Sequence, residues 1–289
     1  MTTYPPYTRV VTQALMGADR PLTVAEVLSR VEMVRPVDSR DPKATIRGAI
    51  GHVRRIVTLG GRPAHYTWWP RHLAESIFRQ PLAASDLEAG TLALNEETRL
   101  ALWPHFFVGP SRSYGEATLA LAEGPTIEAQ IQHLVSGQPV WGLPPTPPLA
   151  EWYRKVGAAP EDDLIVRVLD ADARRYAVTL ARRADRDEAA IAARNRALAD
   201  VAEKALRASW GSLPEFDLAP RLIAHNVYRH PLPPDHWADA LRSDLRFIVG
   251  KRELHLVEWL VNALEREQEV PPAPYPWPRP PGDRRKLYL

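Results

Sequence analysis

The stretch PLTVAEVLSRVEMVRPVDSRDPKATIRGAIGHVRRIVTLGGRPAHYTW, residues 21–68, decides how the chain is read. Thr23 stands where a helix begins, and Glu26 three residues later completes a capping box. Val24, Val27, Leu28, Val31 and Val34 then share one helical face, which Pro36 ends. Asp41-Pro42 announces the next helix, with an acid at the N-cap and proline at the first helical position. Its apolar stripe is Ile46, Ile50, Val53 and Val57. Beside that stripe Lys43, Arg47 and Arg54 fall within about 40° of one another on a helical wheel. Ile56 to Leu59, then Gly60-Gly61-Arg62-Pro63, then Ala64 to Trp68 read as strand, glycine turn and strand, a hairpin. Upstream, Val10, Val11, Ala14 and Leu15 recur at helical spacing and stop at Gly17.

Helix, short extended piece, helix, helix, hairpin is the winged-helix order. The stretch from Val10 to Trp68, with PLTVAEVLSRV, DPKATIRGAIGHVRRI and TLGGRPAHYTW, resembles the HARE-HTH family over about 60 of the 289 residues. That winged-helix module occurs in bacterial RNA polymerase delta subunits, chromatin proteins and restriction endonucleases. The basic residues usual in the family's loops are only partly present here.

Working outward, the chain divides into a winged-helix block at 5–75, a central block at 88–185, a helical block at 186–269 and a tail at 270–289. The expected class is α+β with several domains. In the central block, Thr91 to Leu94, Glu116 to Leu121, Pro139 to Trp141, Leu164 to Leu169 and Arg175 to Leu180 have strand character. Ile127, Ile131, Leu134 and Val135 predict a helix, as does Leu149 to Val156. A helix leading through Pro160-Glu161-Asp162-Asp163 into a strand resembles, loosely, the DNA-binding pseudobarrels of plant transcription factors and restriction-enzyme effector domains. The glycine expected before the acid is missing.

In the third block, Asp187 to Ser209 reads as an Ala- and Arg-rich surface helix, Asp217 to Arg229 as another, and Asp235 as the cap of a third. The hairpins RRIVTLGGRPAHYTWW and LRFIVGKRELHLVEW share an order of Arg, apolar triplet, Gly, basic residue, His and Trp, which predicts a second winged helix. The tail holds 7 Pro within residues 270–281, a density that imposes extended polyproline backbone. It can strap across the body, engage a protein partner, or remain a disordered end.

Composition bounds the function. The chain has 37 basic and 35 acidic side chains, but residues 1–72 hold 11 Lys or Arg against 5 acids, so the positive charge is concentrated there. A basic block on a near-neutral body suggests a polyanion-binding module. All but five of the basic residues are Arg, which suits bidentate phosphate and guanine contacts and equally follows from a GC-rich genome. With no Cys, disulfides, thiolate zinc sites and thiol nucleophiles are excluded. No apolar run reaches a membrane-spanning length, and MTTYPPYTR lacks the layout of a secretory leader, so a cytoplasmic, nucleoid-associated location is expected.

The sequence offers no phosphate-binding glycine loop, no dinucleotide fingerprint, no nucleophile elbow and no zinc-protease helix, so neither enzymatic activity nor a cofactor is expected. Asp162, Asp163 and Asp170 lack the acid-x-Lys partner of a restriction-type nuclease. His225, His230 and His236 are spaced wrongly for zinc. The Trp68-Trp69 doublet reads as an anchor at the wing base, with base stacking the lesser role.

The expected ligand is double-stranded DNA, met by Lys43, Thr45, Arg47, Arg54 and Arg55 of the third helix and by Gly60, Gly61 and Arg62 of the wing. Lys43 and Arg47 approach base edges, Arg54 and Arg62 position phosphates, and the helix N-terminus adds a phosphate site. Lys251 and Arg252 are candidate contacts on the second wing, whose own third helix is too acidic to read DNA. The biological setting expected is transcription control, or a mobile-element or defence system. The alternative is a non-enzymatic adaptor whose winged helices dock proteins such as RNA polymerase or a nuclease, with the tail as an arm.

Overall fold

The computed structural model describes residues 4–53, 55–102, 117–134, 140–209, 211–250 and 253–259. The first module runs α1 (Tyr7–Met16), β1 (Leu22–Thr23), α2 (Val24–Glu32), α3 (Pro42–Gly51), β2 (Ile56–Thr58) and β3 (His65–Trp68). Its sheet has the order β1-β3-β2, antiparallel, with Tyr66 opposite both Leu22 and Thr58. The order helix, strand, helix, helix, hairpin is the one the sequence leads us to expect. The capping box forms: the Glu26 amide donates to Thr23 Oγ1 at 3.3 Å, and the Thr23 amide donates to Glu26 Oε2 at 2.7 Å. Val10, Val11, Leu15, Val27, Val31, Ile46, Ile50 and Trp68 belong to the apolar cluster that this module encloses.

One expectation changes. The third helix ends at Gly51 and not at Val57, so Arg54 and Arg55 follow the helix instead of extending its basic stripe. Glycines at 48 and 51 weaken the last turn. Val57 sits instead on β2, packed into the neighbouring body.

The body begins with α4 (Trp69–Leu73), β4 (Ile77–Pro81), α5 (Ala84–Ala89), β5 (Leu92–Ala93) and α6 (Glu96–Leu102). It continues with β6 (Ala117–Leu121), β7 (Thr126–Ala129), β8 (Gln132–His133), β9 (Trp141–Leu143), α7 (Pro147–Val156), β10 (Asp163–Asp170) and β11 (Arg175–Ala181). Five strands form a sheet in the order β4-β10-β11-β6-β7, in which only β11 and β6 run parallel. A smaller sheet has the order β5-β9-β8. The helix expected across Ile127 and Ile131 is therefore two short strands. Ile127 and Ala129 alternate with exposed Thr126 and Glu128, the period-two pattern of a strand with one buried face.

The last described part runs α8 (Glu188–Arg207), β12 (Ser212–Pro214), α9 (Glu215–Ala224), α10 (Trp237–Arg242), β13 (Phe247–Val249) and β14 (Glu253–Leu256). The sheet order is β12-β14-β13, with His255 opposite both Ser212 and Ile248. Element for element this repeats the connectivity of the first module. Asp235 does not cap α10 as expected. His236 occupies the N-cap, and Glu97 accepts the Trp237 amide at 2.8 Å from across the core. Asp235 instead receives Arg186 Nη2 at 2.7 Å and Asn195 Nδ2 at 2.9 Å.

This second module and the strands before it share one apolar cluster, which includes Phe78, Leu164, Tyr176, Leu198, Leu222 and Leu241. Buried charges stitch the same junction. Arg79 on β4 and Arg186 ahead of α8 both contact the buried Asp163 carboxylate, the second at 2.7 Å.

Candidate nucleic-acid interface

Helix α3 owes its start to Asp41, whose Oδ1 accepts the Ala44 amide at 2.9 Å, and to Pro42, which has no N–H to leave unsatisfied. Ile46, Ala49 and Ile50 face the core. The other side of the helix is therefore presented outward, and on it Lys43 and Arg47, four residues apart, are both exposed. Arg47 Nη2 lies 4.0 Å from Asp41 Oδ2, with more than half of each side chain in water, so the pairing is weak. Lys43 has no hydrogen bond or ion pair among the described residues.

The wing adds Arg62, exposed and also unpaired among the described residues. Gly60 and Gly61 hold φ of +73° and +92°, the left-handed backbone that lets the hairpin turn at that point. Gly61 is exposed, whereas Gly60 lies against the Arg221 guanidinium of α9, so one side of the wing is docked on the body.

Three expected contacts are absorbed by the fold. Thr45 Oγ1 is engaged with Ser39 Oγ at 2.9 Å and with the Asp41 carbonyl at 3.2 Å, which turns the hydroxyl back into its own helix. Arg55 pairs with Asp172 at 2.9 Å, donates to the Asp172 carbonyl at 3.1 Å and lies over the Trp68 ring, so it ties the module to the body. The helix N-terminus expected to hold a phosphate already holds the Asp41 carboxylate, which repels one. Arg54, Lys251 and Arg252 lie outside the described residues, as does the proline-rich tail.

The chain shows similarity, at 11% identity and a TM-score of 0.27, to the N-terminal domain of Helicobacter pylori LlaJI.R1. The match covers 40% of this chain and 94% of that one. That likeness is too slight to assign a fold. Neither a family model nor a curated protein matches the chain.

The Trp doublet is an anchor with two ends. Trp68 is buried in the core of the first module, and Trp69 in the core of the body, where its Nε1 donates to the Leu100 carbonyl at 3.4 Å. Arg229 Nη2 donates to the Arg71 carbonyl at 2.8 Å and closes the same joint. The first module is thus held against the body on its β2–β3 side, and the exposed side of α3 is left open.

The carboxylates weighed as a nuclease centre are all occupied. Asp162 receives the Ala159 and Arg183 amides at 3.0 and 2.9 Å, and Asp163 is clasped by two arginines. Asp170 receives the Ala173 amide and Arg175. Among the described residues no cluster of three or more His, Asp or Glu is placed to hold a metal ion, and no helix is long and apolar enough to cross a membrane.

The helix α10, third in the repeated module, is turned inward. Trp237, Ala238, Ala240 and Leu241 are buried, and the exposed Arg242 pairs with Asp239 at 2.6 Å. Sequence reasoning passed over two things. Arg40, three residues before Lys43, is exposed, and its nearness in sequence is a signal that the local charge pattern carried. The second is a group of basic residues, Lys204 and Arg221 among them, gathered around the docked side of the wing.

Proposed function

We propose that this chain binds double-stranded DNA through the exposed side of α3 and the wing of its first module, while the second module serves as structural support. The observation that carries this reading is the set Lys43, Arg47 and Arg62. All three are exposed, and two have no partner among the described residues. A polyphosphate backbone is the natural counterpart of cations left solvated on a basic winged helix. Lys43 and Arg47, one helical turn apart, reach toward base edges, and Arg62 contacts phosphate. A role in transcription control or in a defence or mobile-element system is compatible with such a binder.

The test is fluorescence anisotropy of a labelled duplex with the full chain and with the triple variant K43Q/R47Q/R62Q. All three residues are on the surface, so the variant keeps its unfolding temperature. Duplex affinity is expected to fall at least tenfold. Unchanged affinity would turn the reading toward a protein-docking adaptor. One observation favours that second reading: Leu245, ahead of β13, is 95% exposed and Ile248 on the strand is also open, an apolar pair on the second hairpin.

A further inference from the structure

Between the docked side of the wing and the ends of α8 and α9 lies a cleft of about 660 Å³. It is built from four separate stretches of chain, 20–21, 59–72, 204–208 and 221–225. Its polar groups are Arg20, His65, His72, Lys204, Arg221 and His225, and none of its described lining residues is acidic. Its remaining walls come from Leu59, Pro21, the wing glycines and alanines of α8 and α9.

The basic groups differ in how far they are already committed. Arg20 is bound to Glu26 at 2.5 Å. Arg221 Nη1 donates to Ser209 Oγ at 2.7 Å, while its buried Nε has no partner and no carboxylate lies within ion-pair distance of the guanidinium among the described residues. Lys204 is exposed and unpaired among the described residues. His72, whose Nε2 lies 2.7 Å from Thr67 Oγ1, is pushed down to about 4 by burial, and then by neighbouring Arg229, Arg71 and His225, so it adds no charge near neutral pH. Lys204 and Arg221 thus stand without an ion-pair partner among the described residues, Asp217 attracting Arg221 only from beyond ion-pair distance, and two such cations facing one cleft suit an anion.

We propose that this cleft binds a small phosphate ester carrying an apolar or planar body, of mononucleotide size. Lys204 and Arg221 take the phosphate, and the Leu59 and alanine walls take the body. The volume lies within the roughly 300–1,000 Å³ of small-molecule sites, far more than a lone phosphate fills. Because the walls come from both modules, the ligand would bridge the wing of the first to the helices of the second. The wing borders both this cleft and the surface proposed for duplex, but α3 contributes nothing to the cleft, so Lys43→Gln separates the two.

The test is isothermal titration of the full chain with the four ribonucleoside 5′-monophosphates, the corresponding triphosphates and pyrophosphate. At least one nucleotide is expected to bind with one-to-one stoichiometry and more tightly than pyrophosphate. Lys204→Gln, a surface change that spares the fold, is expected to weaken binding about tenfold, and Arg221→Gln further, with K43Q unaffected. Three outcomes overturn the proposal: no saturable binding by any probe, equal nucleotide affinity in wild type and Lys204→Gln, or a Lys204→Gln defect confined to duplex binding.

Discussion

The Arg221 guanidinium stands where a β-carbon on Gly60 would project, so the wing of the first module and α9 of the second share one small space. Gly60 also holds a φ of +73°, which a side chain tolerates poorly. The glycine therefore serves both the turn and the dock.

Gly60→Ala is expected to lower stability by about 1–3 kcal/mol, part from backbone strain and part from displacing Arg221 off Ser209. Chemical denaturation of the single variants and of G60A/R221A checks this. The double variant should recover the steric part, because the competing guanidinium is gone. Additive losses would contradict the shared space.

Asp163 is 1% exposed and is held by two arginines, Arg79 and Arg186, which also approach Asp235 at 3.6 and 2.7 Å. Asp163→Asn keeps the shape and removes the charge, leaving buried guanidinium groups under-compensated. A loss of about 3–5 kcal/mol in urea unfolding is expected. Replacing Arg79 and Asp163 together by apolar residues of similar volume should cost less than Asp163→Asn alone.

His236 Nε2 and Glu97 Oε2 are 2.9 Å apart in the interior, and neither atom has another hydrogen-bond partner. Burial opposes charge on His236, but Glu97 outweighs it and the imidazole is raised above its ordinary 6.5. Burial likewise opposes charge on Glu97, but His236, the Trp237 amide and the Tyr228 hydroxyl outweigh it, so the carboxyl is lowered from 4.5. The histidine contribution is complete below 6.5 and is lost as pH rises through the raised value. The glutamate contribution is present above 4.5 and is lost as pH falls through the lowered value. The stability gap between wild type and His236→Gln should thus be widest at mildly acidic pH and narrow toward pH 9, followed by urea unfolding. A gap independent of pH would show that the pair is not ionised.

What the sequence disclosed was what neighbouring residues signal to one another. Thr23 with Glu26, Asp41 with Pro42 and the Gly60-Gly61 turn each act within a few residues, so the order of helices and hairpin in the first module could be traced from them. The likeness of the two hairpins pointed to the repeated sheet order of the second module. Ile127 and Ile131 misled because an i, i+4 spacing over so short a run fits a helix as well as two strands. Arg55 was misplaced twice over. The helix stopped earlier than its apolar stripe implied, and the partner that neutralises it, Asp172, is 117 residues away. The cleft left no trace, since its cations meet only when the wing docks on α8 and α9.

The central claim is that solvated cations of the first module meet a phosphate backbone. Its most direct test is the slope of log affinity against log salt for a duplex, measured for wild type and for Lys43→Gln, Arg47→Gln and Arg62→Gln. A steep fall with salt is expected, with the slope shrinking by about 0.9 for each phosphate contact removed. Duplex affinity that is insensitive to salt, or slopes identical in all four proteins, would contradict it.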